Sequence, residues 1–258
     1  MCCRTTTVSE TQGYDPSVSG CWTMGTPLAW KVPTIEYSLQ ASASRQVTLA
    51  DATRIIDAAF AKWTSAACSQ TDVHKHPGIG AQDIGPVDSG FTDCGIVKCG
   101  DTVHDTEHVI VFDDAMWPHN DPNNTLALTT VTFGVDSGQI YDADMEINSF
   151  QHQLSLSSPA PPGSFSLDAI VTHEAGHFLG FAHSTDRNAV MYVRYNEGST
   201  QLTADDVGCV CEVYPPASPA SATAGCACGI AGGASADASL LLVGALVAAA
   251  VVRRVATS

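Results

Sequence analysis

Residues 173 to 184 read HEAGHFLGFAHS, and what can do chemistry in this run is three histidines and one glutamate at fixed intervals. On a helix, His173 and His177 stand one turn apart on the same face, so their imidazoles can bind one zinc ion. Gly180 can adopt the left-handed conformation that ends a helix, and the chain can then turn so that His183 supplies a third ligand. Three neutral ligands leave the ion's double charge in place and a fourth position open, the pattern of a catalytic rather than a structural zinc. Water at that position ionises near neutral pH. Glu174, next to the first ligand, is placed to take the water's proton during attack and pass it to a leaving amine. A methionine, Met191, follows shortly after. We read its flexible thioether as packing beneath the converging rings and not as a ligand.

His173, Glu174, His177, Gly180 and His183 make up HExxHxxGxxH, which is far more specific than a bare HExxH. With Met191 in NAVMY, they resemble the metzincin zinc endopeptidases. Ser184 directly after the third histidine, and the pair Met191-Tyr192, resemble the matrixin subgroup. The resemblance implies zinc held by His173, His177 and His183, Glu174 as general base, and Met191 as the Met-turn residue under the site. It covers about residues 30 to 214. LALTTVTFG, residues 126 to 134, resembles the antiparallel edge strand along which matrixins lay an extended substrate, with Leu126, Ala127, Leu128 and Thr129 leading it. YDADMEIN resembles the next strand and LTADDVGCVCEVY the closing helix. The implied partner is a protein or peptide that pairs with the edge strand by β-augmentation. The chain also departs from the family. His104, His108 and His119 do not have the spacing of the matrixin structural zinc site and read as surface histidines. No cysteine-switch motif is visible.

The elements that must position these residues can be read from periodicity. TLADATRIIDAAFAKWTSAA, residues 48 to 67, has apolar residues at helical spacing, with Thr48 or Asp51 as cap. SLDAIVTHEAGHFLGF, residues 166 to 181, reads as the helix of the site, with Ser166 as N-cap. A last helix is expected at TADDVGCVCEVY, with Thr203 as cap and acidic residues in its first turn. IEYSL and HVIVF read as strands. So do residues 126–134 and 139–148, which Val-Asp-Ser-Gly joins in a hairpin-type connection. On the last strand Asp142, Asp144 and Glu146 share one face. They are either candidate calcium ligands or a solvated strand face. His74 and His76 read as exposed loop residues. The fold class is α/β, of the α+β metzincin kind: a twisted, mostly parallel sheet with an antiparallel edge strand, an active-site helix, a Met-turn and a C-terminal helix.

Composition narrows the setting. Eleven basic against 27 acidic residues give a net charge of −16, which repels phosphate backbones and excludes nucleic acid as a natural partner. Ten cysteines without a CxxC pair point to disulfides in an oxidising compartment, not to a zinc ribbon or a thioredoxin site. MCCRTTTVSE is not a signal peptide, so we expect the segment that directs export to precede it. Residues 1–29 form a cysteine-containing lead-in to the catalytic domain at 30–214. Residues 215–238 are a Pro/Ala/Ser/Gly linker with Cys226 and Cys228, and residues 239–258 a short hydrophobic tail. The Leu240–Val252 run is shorter than the ~20 residues that cross a bilayer, and Arg253-Arg254 would stop on the cytoplasmic side. Together these resemble a myxobacterial C-terminal sorting tag, which implies processing near the cysteines and attachment at the cell surface. The sequence therefore reads as a secreted or surface-attached zinc metalloendopeptidase. The alternatives are a zinc hydrolase of non-peptide amides, and a non-catalytic adhesion or scaffold protein with a vestigial metal site.

Overall fold

Strand β6, Gln139–Ile147, shows how the sequence divides the molecule. Ile140, Ala143, Met145 and Ile147 enter the hydrophobic core, while Asp142, Asp144 and Glu146 occupy alternate positions. Even and odd positions can both reach the core because the pairing with β5 (Ala127–Gly134) shifts between Thr132 and Phe133, skipping Tyr141. A bulge of this kind changes which face the next residue points to. The computed structural model describes residues 5–8, 21, 24–66, 68, 72–75, 108–215 and 250–256.

Around β6 lie β1 (Ala29–Trp30), β2 (Thr34–Leu39), β3 (Asp72–Lys75), β4 (Val109–Phe112), β5 (Ala127–Gly134) and β9 (Ala250–Ala256). The sheet order is β3-β2-β4-β6-β5-β9, with β1 also on β6. The β2–β3, β2–β4, β4–β6 and β1–β6 pairs are parallel. Only the two pairs made by β5 are antiparallel. The mixed α/β fold and the mostly parallel sheet are thus as the sequence implies. The position of β5 is not: its outer side pairs with β9, Leu128 opposite Ala256 and Gly134 opposite Ala250. An open strand edge is a row of unpaired N–H and C=O groups that invites another strand, and AVVRRVA is rich in β-branched valine. A second, two-stranded sheet pairs β7 (Leu154–Ser155) with β8 (Phe165–Ser166).

Helix α1, Leu49–Thr64, starts where Thr48 accepts the amide of Asp51. It buries Ile55, Ile56, Ala59, Phe60 and Trp63 along one face. Helix α2, Leu167–Phe178, starts at the Ser166 cap, and α3, Ala204–Val213, at a capping box between Thr203 and Asp206. α1 packs on α2. Two polar links fix their relation: Lys62 Nζ donates to Asp168 Oδ1 at 2.5 Å and to Thr172 Oγ1 at 3.0 Å, and Trp63 Nε1 donates to the Thr172 carbonyl at 2.8 Å. At the C-terminal end of α2, Trp30 Nε1 donates to the Phe178 carbonyl at 2.8 Å. A disulfide between Cys68 and Cys211 joins the chain just after α1 to α3, and Cys21 and Cys209 are also disulfide-bonded.

His74 lies on β3 and not in a loop. His76, His104, Cys226 and Cys228 fall outside the described residues. So does the Leu240–Val252 run up to residue 249. Arg253 and Arg254 belong to β9. Among the described residues, no helix is long and apolar enough to cross a membrane.

Candidate metal centre

α2 ends for a local reason. Gly180 has φ +93°, and a Cβ there would collide with the Leu28 carbonyl, so only glycine fits this turn. The turn carries His183 back toward the helix. His173, His177 and His183 then offer ligand nitrogens that all lie within 4.8 Å of one another. The Nε2 atoms of His177 and His183 are 3.2 Å apart.

Each helical imidazole is held through its other nitrogen. His173 Nδ1 lies 2.7 Å from the Val190 carbonyl, and His177 Nδ1 lies 2.9 Å from the Phe181 carbonyl. A carbonyl can only accept, so both Nδ1 atoms carry the proton and both Nε2 atoms present a lone pair. Burial holds His173 down to about 4, which keeps it neutral near pH 7. Its Nε2 is buried and has no hydrogen-bond partner among the described residues. An orphaned buried nitrogen is costly, and facing two further imidazoles it fits a cation that accepts all three lone pairs. The donor set, three imidazoles, suits zinc.

Glu174 is 1% exposed. Its Oε2 accepts from Thr129 Oγ1 at 2.7 Å, a contact from β5 to the helix of the site. Thr129, singled out above as part of a substrate strand, thus also orients the carboxylate. Leu126 lines a pocket beside His173 and Glu174, with Ile170, Val190 and Tyr192. Ala127 and Leu128 are buried in β5.

The segment that carries Met191 is tied down more firmly than the sequence suggests. Met191 is 1% exposed. A Cβ on Gly176 would strike its Sδ and also meet Trp63 at 2.9 Å, so the thioether lies against the helix backbone one residue before His177. Asp206, fully buried, accepts from the amides of Val190 at 3.0 Å and Met191 at 3.2 Å. Val190 in turn holds His173. A run of contacts therefore links the cap of α3 to His173. Thr203-x-x-Asp206 is legible as a capping box, but the second use of the Asp206 carboxylate is not.

Asp142, Asp144 and Glu146 are buried, not solvated. His108 Nδ1 lies 2.7 Å from Asp142 Oδ1 and His119 Nε2 lies 2.9 Å from Glu146 Oε2. The reading of His108 and His119 as surface histidines is therefore corrected: their side chains are each 14% exposed, drawn in by the acidic face of β6. Asp144 accepts from the Val109 amide at 2.9 Å, and burial with the nearby Asp142 charge raises its carboxyl well above the usual range. Asp113, missed in the sequence, is buried, and among the described residues neither oxygen is hydrogen-bonded. Burial, then Glu146 and Asp114, push it up to about 8. Among the described residues only the three histidines converge as a ligand set, and the acidic row forms no comparable calcium cradle.

A matrixin family model matches residues 105–215. Interstitial collagenase of Bos taurus is 43% identical over 53 residues, 20% of this chain and 11% of that protein. Matrilysin of Homo sapiens is 48% identical over 46 residues, 17% of each chain. A probable matrix metalloproteinase, 095L of Invertebrate iridescent virus 3, is 31% identical over 108 residues, 42% of this chain and 28% of that protein. The chain thus spans between about a tenth and three tenths of these relatives. Over the matched segment it is matrixin-like, and that segment contains the whole His173–Met191 site.

Proposed function

We propose that this chain is a zinc-dependent metalloendopeptidase that hydrolyses extended protein substrates outside the cell. The observation that carries the reading is the convergence of three imidazole nitrogens within 4.8 Å beside a buried carboxylate held by Thr129. Zinc, when bound, supplies Lewis acidity and makes water a nucleophile near neutral pH. The chain's residues do the rest. His173, His177 and His183 present lone pairs, their tautomers fixed by the Val190 and Phe181 carbonyls at two of them. Glu174 takes the proton of the attacking water and delivers it to the leaving amine, so that one carboxylate serves as base and then acid. Thr129 keeps Oε2 aimed while the other oxygen works.

The pocket beside the site, with walls from Leu126, Ile170, Val190 and Tyr192, suits an apolar side chain flanking the scissile bond. Disulfide bonding at Cys68, Cys211, Cys21 and Cys209 supports an oxidising, extracellular setting. The GCACG stretch and the apolar run after it support sorting to the cell surface, with Cys226 and Cys228 at the processing point.

Stripping the purified chain with a chelator should abolish cleavage of a peptide library, and stoichiometric zinc should restore it. Cleavage that survives removal of all metal would overturn the reading.

A further inference from the structure

We propose that residues Ala250–Ala256 act as an internal competitor of substrate, a strand that occupies the side of β5 on which an extended peptide would dock. The inference rests on the peptidase reading above and concerns the regulation of that same site. Seven consecutive residues of β5, Leu128 to Gly134, face β9 in unbroken antiparallel register. The β5–β6 pairing, by contrast, slips at Thr132/Phe133. The occupied edge leads straight to the site. Thr129, opposite Val255, is the residue that holds Glu174. Leu126, two residues before the Leu128–Ala256 pair, lines the pocket with His173 and Glu174.

A strand edge has one set of backbone donors and acceptors, and two strands cannot use it together. While β9 is docked, the edge is closed to any other peptide. The segment is suited to the role: Val251, Val252 and Val255 favour extended backbone. Residues 250–252 are also the end of the apolar Leu240–Val252 run, so the same residues cannot be in β9 and in a membrane at once. Drawing the tail away would open β5.

The test uses the full chain and the double variant Val252→Pro/Arg253→Pro. Consecutive strand residues point their N–H groups to opposite sides, so one of the two prolines removes a ladder donor whichever it is. Amide exchange over 128–134 is compared first. Protection in the wild type and its loss in the variant are expected. KM for a fluorogenic peptide is then compared. If the edge is open for only a minor fraction of the time, apparent affinity is reduced by that fraction, so KM should fall about fivefold or more while kcat changes less than about twofold. Unchanged exchange overturns the proposal. So does unchanged KM in a variant that cleaves peptide, and that result leaves the peptidase reading intact. If exchange changes as expected but neither protein cleaves any peptide with zinc bound, occupancy of the edge stands and the peptidase reading falls, and regulation of hydrolysis with it.

Discussion

Two groups of buried ionisable side chains face different fates in this molecule. On α2 and the turn after it, three imidazoles point at one place, and His173 Nε2 has no hydrogen-bond partner among the described residues. On β6, carboxylates of similar burial stand in a row, and each is answered separately: Asp142 by His108, Asp144 by the Val109 amide, Glu146 by His119. Convergence with an unanswered lone pair points to a ligand. Dispersal with a partner for each group points to a structural network. Asp113, just after β4, contrasts with that row: among the described residues its oxygens have no partner, and burial beside Glu146 and Asp114 favours its protonated form.

The sharpest way to break the contrast is to remove one converging ligand. His177→Ala should eliminate stoichiometric zinc binding, because two imidazoles hold the ion far more weakly than three. Metal analysis on protein whose circular dichroism is unchanged reads this out, and retained stoichiometric zinc would mean that the three nitrogens do not act as one site.

A smaller effect is expected beside the acidic row, at Asp113. The carboxyl of Asp113 is raised to about 8, above its unfolded value near 4. The folded state therefore binds the proton more tightly, and stability is greatest below about pH 4, falling as pH rises toward about 8. Asp113→Asn should flatten that dependence and raise Tm at pH 8 by a few degrees, on the order of the shift that ~1–2 kcal/mol produces. Thermal unfolding at pH 5 and pH 8 measures it. A lower Tm for the variant at pH 8 would show that the charged carboxylate has a partner.

The smallest effect belongs to the floor of the metal site. Met191→Leu nearly conserves volume and should cost under ~1.5 kcal/mol with zinc still bound. A loss of metal affinity as large as that of His177→Ala would make sulfur a ligand.

Much of this was legible locally. Ser166 and Thr203 cap the helices they were expected to cap, and of Thr48 and Asp51 it is Thr48 that caps the first, because a capping bond spans only three residues. HExxHxxGxxH was legible because helix pitch and a left-handed Gly180 fix the geometry within eleven residues. What was not legible depends on distant partners. β1 is two residues long and exists only against Gln139 and Ile140. His108 and His119 are drawn partly inward by carboxylates 34 and 27 residues away. β9 owes its conformation to an edge more than a hundred residues earlier in the chain, and its own valines suit a membrane run equally well.

The central claim is that Glu174, held by Thr129 beside three metal-binding imidazoles, is the proton carrier of a zinc peptidase. The most direct measurement is kcat/KM for peptide cleavage by zinc-loaded Glu174→Gln, with the metal content determined on the same sample. Glutamine keeps the shape and the Thr129 contact but cannot carry a proton. The account predicts full zinc occupancy and a fall in kcat/KM of roughly 10²–10⁴-fold. Near wild-type cleavage with zinc bound would contradict it.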